Sequence, residues 1–195
     1  PGVAHTLQVT LGLLECLGCL LSGGSTSPVP LPGQGVVLAA MRLLKLEPQV
    51  LLAPGRVAPS SSAQAEVLTA LPELHSAAWG LLGLTCRLLG PGGVMPLTAP
   101  LCRLVSEQLR RIKAGGAGGL ACTMHPSVRT KLYDTTVVVL RTCGFAAGRA
   151  LATEVVGMLV TELYGLSAVQ QQQQQQQQAA LYGSGAAGAA FGKAG

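Results

Sequence analysis

Pro126–Gly144 reads PSVRTKLYDTTVVVLRTCG, and its periodicity decides the fold. Val128, Leu132, Thr135, Val139 and Cys143 recur at steps of four, three, four and four, which places them on one stripe of a helix. Pro126 and Ser127 suit the entry of a helix, and Gly144 suits its exit. The β-branched run Thr135–Val139 would also suit a strand. The segment is longer than strands usually run and is capped like a helix, so a helix is predicted. It holds no catalytic constellation. It is one packed element of an all-helical scaffold, and the flanking chain reads the same way.

Toward the N-terminus, His5–Ser22 carries Leu7, Leu11, Leu14, Cys16/Leu17 and Leu20/Leu21 along a broad apolar face, stopped by Gly23 and Gly24. Ser25–Gly35 is proline-broken loop. Val36–Leu46 resumes a stripe through Val37, Ala40, Met41 and Leu44, with Arg42 and Lys45 outward. Glu47–Ser62 is a second irregular connection. Ala63–Leu71 is a short helical turn leading into Pro72–Leu89, where Leu74, Ala78, Leu81, Leu82, Leu84, Leu88 and Leu89 surround most of the circumference. A helix apolar all round must be buried from several sides. Gly90–Gly93 ends it.

Leu97, Leu101, Leu104/Val105, Leu109 and Ile112 mark the next helix. There Glu107 is placed to pair with Arg110 or Arg111, and Arg110, Arg111 and Lys113 suit the negative helix end. Ala114–Gly119 is a glycine-alanine linker. Beyond the opening stretch, Gly148–Tyr164 turns Leu151, Val155, Met158, Leu159 and Leu163 inward. Gln170–Gln178 is a homopolymer and Ala179–Gly195 is alanine-glycine-rich, so no fixed fold is expected past about Gly165 except helix through the glutamines. The domain expectation is a helical scaffold over 1–166 and a low-complexity tail over 167–195.

Of the 195 residues, 49% are hydrophobic and 11% charged, which argues against a disordered main body. So few charges leave apolar surface for partners or neighbouring helices. The chain begins at Pro1 directly in an apolar pattern and is read as a piece of something longer. Leu7–Leu21 is interrupted by Glu15, and Leu74–Leu89 by His75 and Arg87. Both fall short of the roughly 20 apolar residues of a membrane span, and no membrane is expected. Leu7–Leu21 also lacks the basic flank of a signal peptide. The six cysteines, at 16, 19, 86, 102, 122 and 143, are sparse for a disulfide-stapled domain and are expected to be reduced and mostly buried.

Leu17-Gly18-Cys19-Leu20-Leu21 is an LxxLL motif, by which a short helix docks leucines in a receptor groove. Burying this helix needs the same leucines, so core packing is the preferred role. Cys16-x-x-Cys19 has zinc spacing but no second ligand pair, which favours buried thiols. His5, His75 and His125 are scattered and read as packing or capping residues. Gly116–Ala121 fits GxGxxA on paper, but follows a basic helix end instead of a strand and is a linker. The net charge of +5 comes from dispersed lysines and arginines, with local pairs at Arg110/Arg111 and Arg129/Lys131 and almost no aromatic interleaving. This is weak evidence for a nucleic-acid face and favours ordinary solvated helix surface. No catalytic, cofactor or metal residues are assigned, and no enzyme is expected.

Ser127-Val128-Arg129-Thr130-Lys131-Leu132-Tyr133, followed by Cys143-Gly144, resembles the animal branch of the Rix-type family of pre-rRNA-processing proteins. Leu14–Ser22, Pro28–Pro32 and Leu71–His75 fit the resemblance in the same order, and it spans roughly Leu7–Leu163. It implies a stacked-helix (HEAT/armadillo-like) solenoid that works as a scaffold in a nucleolar complex. The partners implied are a WD-repeat subunit, a further helical-repeat subunit, the pre-ribosomal particle and a giant AAA ATPase. The work implied is large-subunit maturation and spacer-RNA removal, located in nucleolus and nucleoplasm, with homodimerisation as a family trait. That branch is also described as coactivating nuclear receptors through several LxxLL motifs and carries a long acidic, proline-rich tail. This chain has one such motif and ends in glutamine and alanine-glycine instead. Transcriptional coactivation through Leu17, Leu20 and Leu21 is therefore the alternative expectation.

Overall fold

The computed structural model describes residues 2–23, 30, 32–46, 61–116 and 124–186, and among them every regular element is helical. The helices are α1 (Val3–Ser22), α2 (Gly33–Leu44), α3 (Ser61–Val94), α4 (Thr98–Gly116) and α5 (Pro126–Ala186). A 3-10 turn, Met95–Leu97, joins α3 to α4. The all-α expectation holds.

The predicted helix stands where the periodicity put it. α5 begins at Pro126, and Val128, Leu132, Thr135 and Val139 are buried with Cys143 half-buried. The β-branched run is helical, with Thr135, Thr136, Val138 and Val139 buried and both hydroxyls supplied with acceptors. Thr136 donates to the Leu132 carbonyl at 2.7 Å, and Thr135 donates across to the Trp79 carbonyl of α3 at 2.9 Å. His125 caps the entry, its Nδ1 facing the Ser127 hydroxyl at 2.8 Å and accepting the Ser127 N–H at 3.4 Å.

Two glycines turn the chain. Gly144 has φ 58° and ψ −136°, and Gly90 has φ 62° and ψ −175°. Side chains almost never adopt that region of backbone space, so glycine is required at both. At Gly144 the helix folds back, bringing Glu162 of the second arm onto Arg129 and Tyr133 of the first.

α3 is the hub. α1, α2 and the α5 hairpin all pack on it, and α5 also packs on α4. Residues 61–89 run as one continuous helix through Pro72, where two helical pieces were expected. Leu74, Ala78, Leu81, Leu82, Trp79 and Cys86 are buried, while Leu88 is half-exposed. α2 contributes Val37, Ala40 and Leu44, and α4 contributes Leu97 just before it and then Leu101, Leu104, Val105, Leu109 and Ile112, as their spacing predicts.

Other expectations need correcting or completing. Leu159 and Leu163 point outward, at 50% and 65% exposure, while Leu151 and Met158 are buried as expected, together with Ala147. That arm is apolar on two opposite sides, so periodicity alone does not select the buried one. The backbone is helical through the glutamine run, the exception allowed for in the tail, and continues to Ala186. Lastly, the stretches Ala4–Ser22, Ala65–Lys113 and Pro126–Gly165 are long and apolar enough to cross a membrane by length and composition. Full helix lengths exceed the shorter apolar windows that fell short. The expected loops and linker are shorter than their sequence suggests, since Gly33–Gly35 open α2, Ser61 and Ser62 open α3, and Ala114–Gly116 still belong to α4. Most of Ser25–Pro32, all of Glu47–Ser60, Ala117–Gly119 and Ala187–Gly195 lie outside the described residues.

Replacing Gly144 by alanine is expected to lower the unfolding free energy by about 1–3 kcal/mol, the cost of holding a side chain in that conformation. Gly148→Ala, at a helical position with open space around it, is expected to be neutral or stabilising by up to about 1 kcal/mol. Urea unfolding of the two variants gives the comparison, and equal stabilities would contradict the hairpin at Gly144.

Candidate functional site

An open groove of about 730 Å³ lies between α1, α3 and the start of α5. Its lining includes the small residues Gly18 of α1 and Ser76, Ala77 and Gly80 of α3. Leu11 and Leu14 wall one side, and Leu81 and Leu84 the other. Glu15, Glu73, Ser127 and Lys131 supply polar groups. Three stretches distant in sequence thus converge here. Leu14–Ser22 supplies Leu14, Glu15, Gly18 and Ser22, Leu71–His75 supplies Glu73, and the signature helix supplies Ser127 and Lys131. The arrangement suits a bound polypeptide segment, with apolar walls for its side chains and charges of both signs to set its register.

The signature residues divide by face. Val128 and Leu132 are core, Thr130 and Lys131 are exposed, and Arg129 and Tyr133 are half-buried. Arg129 pairs with Glu162, and the Tyr133 hydroxyl donates to the same carboxylate at 2.7 Å. Burial alone would push the Glu162 carboxyl up. The hydrogen bonds from Tyr133 and Arg129, with the Arg129 charge, outweigh it and hold the group below its ordinary value. Burial pushes the Tyr133 phenol up, and its bond to Glu162 adds to this. No local sequence signal marks Glu162, because its partners lie 33 and 29 residues away. A second clamp, Arg110 to Glu154 at 2.7 Å, joins α4 to α5, while Arg111 takes Glu107 at 2.7 Å as the helical spacing predicts. These groups position helices.

The LxxLL motif straddles the edge of a packed face. Leu7, Leu11, Leu14, Gly18 and Leu21 form the half-buried stripe of α1. Leu21 lies in it and Leu17 beside it, both half-buried and neither in the core, while Leu20 is 76% exposed, so the core assignment is corrected for all three leucines. On the opposite side Val9, Leu13, Cys16 and Leu20 make an exposed stripe at steps of four, three and four. The second arm of α5 presents another, through Phe145, Val156, Leu159, Val160 and Leu163.

The cysteine expectation splits likewise. Cys86 and Cys102 are buried, whereas Cys16 and Cys19 are exposed free thiols, against the expectation of burial. Burial, with Cys143 nearby, pushes the Cys86 thiol up to about 11 and raises that of Cys102. Cys122 lies outside the described residues. Among those described, no three or more His, Cys, Asp or Glu side chains gather into a metal-binding group.

No family model, no curated protein and no solved structure matches the chain.

Iodoacetamide applied to the native chain is expected to alkylate Cys16 and Cys19 rapidly and to reach Cys86 and Cys102 only on unfolding, as peptide mass mapping would read. Early modification of Cys86 would contradict the packing of α3. The Glu162 clamp carries a pH signature. A carboxyl lowered in the folded state contributes stability above the unfolded glutamate value of about 4.3, and loses it as pH falls through the folded value. Glu162→Gln is therefore expected to flatten the acid limb of stability below about pH 4.3 in urea titrations at stepped pH. An acid limb as steep as that of the parent would remove Glu162 from the linkage.

Proposed function

We propose that the chain is a helical scaffold segment of a nucleolar complex that matures the large ribosomal subunit, with a stacked-helix solenoid arrangement and the partners expected for the Rix-type family. The observation that carries this is the groove between α1, α3 and α5, where three of the four stretches bearing the resemblance meet although up to about a hundred residues separate them. Surface assembled from separated stretches fits recognition of a partner, whereas single core helices need only their own periodicity. The exposed stripes of α1 and α5 add apolar surface of the kind partner subunits cover. The assignment to spacer-RNA processing rests on the resemblance alone.

Water, not lipid, is proposed to surround these helices. Arg87, Arg103, Lys131, Asp134, Arg141 and Arg149 stand exposed along α3, α4 and α5, and charges at mid-helix are costly in hydrocarbon. A second reading, nuclear-receptor coactivation, draws support from the exposure of Leu20. Docking all three leucines would require Leu17 and Leu21 to leave α3, and every 1.4 kcal/mol of that detachment weakens binding about tenfold.

The groove gives the test. A Cβ at Gly80 would meet open space, so Gly80→Leu can project an isobutyl group into the groove that Gly80 lines, and it removes a helix-weakening glycine. The expected outcome is an unchanged or higher melting temperature with loss of pre-ribosomal proteins from affinity purifications of the full-length protein. Retention of those partners would place their site elsewhere. Recovery of receptors in place of pre-ribosomal proteins from the parent chain would favour the second reading.

A further inference from the structure

We propose that Cys16 and Cys19 form an exposed two-thiolate site for a soft monovalent cation of the Cu(I) class. Both are free and solvent-exposed on α1, three residues apart and therefore one turn from each other on the same side of the helix. The packed stripe of α1 lies on the other side, so α3 covers neither thiol.

Spacing selects the chemistry. Cβ atoms one helical turn apart are separated by about 5–6 Å. A disulfide needs about 3.5–4.5 Å between them, so closing one inside α1 would distort the helix. A bridging metal has a different reach. With metal–sulfur bonds of about 2.3 Å, a linear sulfur–metal–sulfur unit spans about 4.6 Å, which two side chains leaning together across one turn can meet. Zinc calls for four ligands, and among the described residues no third His, Cys, Asp or Glu joins the pair in a metal-binding group. Two thiolates and nothing harder suit a soft ion content with low coordination.

Binding exchanges two S–H protons for one cation. One Cu(I) and two thiols give a bis-thiolate of charge −1 and two released protons, with no change of oxidation state. Affinity therefore rises with pH. The remaining described thiols do not compete on equal terms, since Cys86 and Cys102 are buried and Cys143 is half-buried. A bound ion would also place a negative charge within the apolar stripe Val9, Leu13, Cys16 and Leu20.

The full chain is titrated anaerobically with Cu(I) against a chromogenic chelator, with circular dichroism to confirm helix content. One tightly held equivalent and release of two protons are expected. Cys16→Ser/Cys19→Ser should lose that equivalent, and each single serine variant should bind more than about 100-fold more weakly, a larger effect than losing an outer-shell partner. Cys19→Ser/Leu20→Cys restores a thiol at the neighbouring helical spacing and should recover binding. An undiminished equivalent in the double serine variant, a complex holding two chains by native mass spectrometry, or Zn²⁺ bound as tightly as Cu(I) would each overturn the site.

Discussion

The fold depends on how closely α5 approaches α3. Thr135 drives its hydroxyl onto the Trp79 carbonyl at 2.9 Å, and this is possible because position 83, one turn along, carries no side chain. A Cβ on Gly83 would sit 3.2 Å from the Thr135 oxygen, tighter than ordinary van der Waals contact. The Trp79 carbonyl has two lone pairs, so it can accept from Thr135 while keeping its helical bond. A buried hydroxyl left without an acceptor would cost about 1–3 kcal/mol, so this bond fixes register as well as distance. With that register set, Leu82, Cys86, Leu132 and Val139 all fall in the core.

The other helices take their places from this pair. α1 and α2 pack on α3, while α4 packs on α5 and is tied to its second arm by Arg110 and Glu154. The Gly144 turn lets one long apolar sequence pack against itself, and Glu162 closes the arms by neutralising Arg129 while accepting from Tyr133. Such half-exposed ion pairs contribute modestly to stability, on the order of 1 kcal/mol or less. Their stronger effect is geometric, since a shared carboxylate between two donors fixes the angle between the arms.

Apolar packing therefore supplies the cohesion, and little charge is spent on it. That economy shapes the outside too. With 11% charged residues the chain has few polar groups for its outer helices, and α1 and the second arm of α5 each expose a leucine- and valine-bearing stripe. A groove with small residues between leucine walls complements those stripes as binding surface. Binding in each case draws on apolar burial, and the chemistry left over for ions lies in the exposed thiols of α1.

Several features were fixed by sequence alone. The all-helical class, the entry at Pro126, the turn at Gly144 and the buried faces of α2, α4 and the first arm of α5 follow from apolar spacing and from where glycine and proline stand. These are local properties, and a 3.6-residue period is legible without neighbours. Tertiary structure decided the rest, wherever a helix was apolar on two sides. Leu151 and Leu163 look equivalent in sequence, yet only contact with α4 and the first arm buries one and leaves the other at 65% exposure. Leu17 and Leu20 divide the same way at the edge of α1, and Cys16 and Cys19 emerge into solvent because α3 claimed the opposite side. The groove and the Glu162 clamp join residues tens of positions apart, so only the folded chain brings them together.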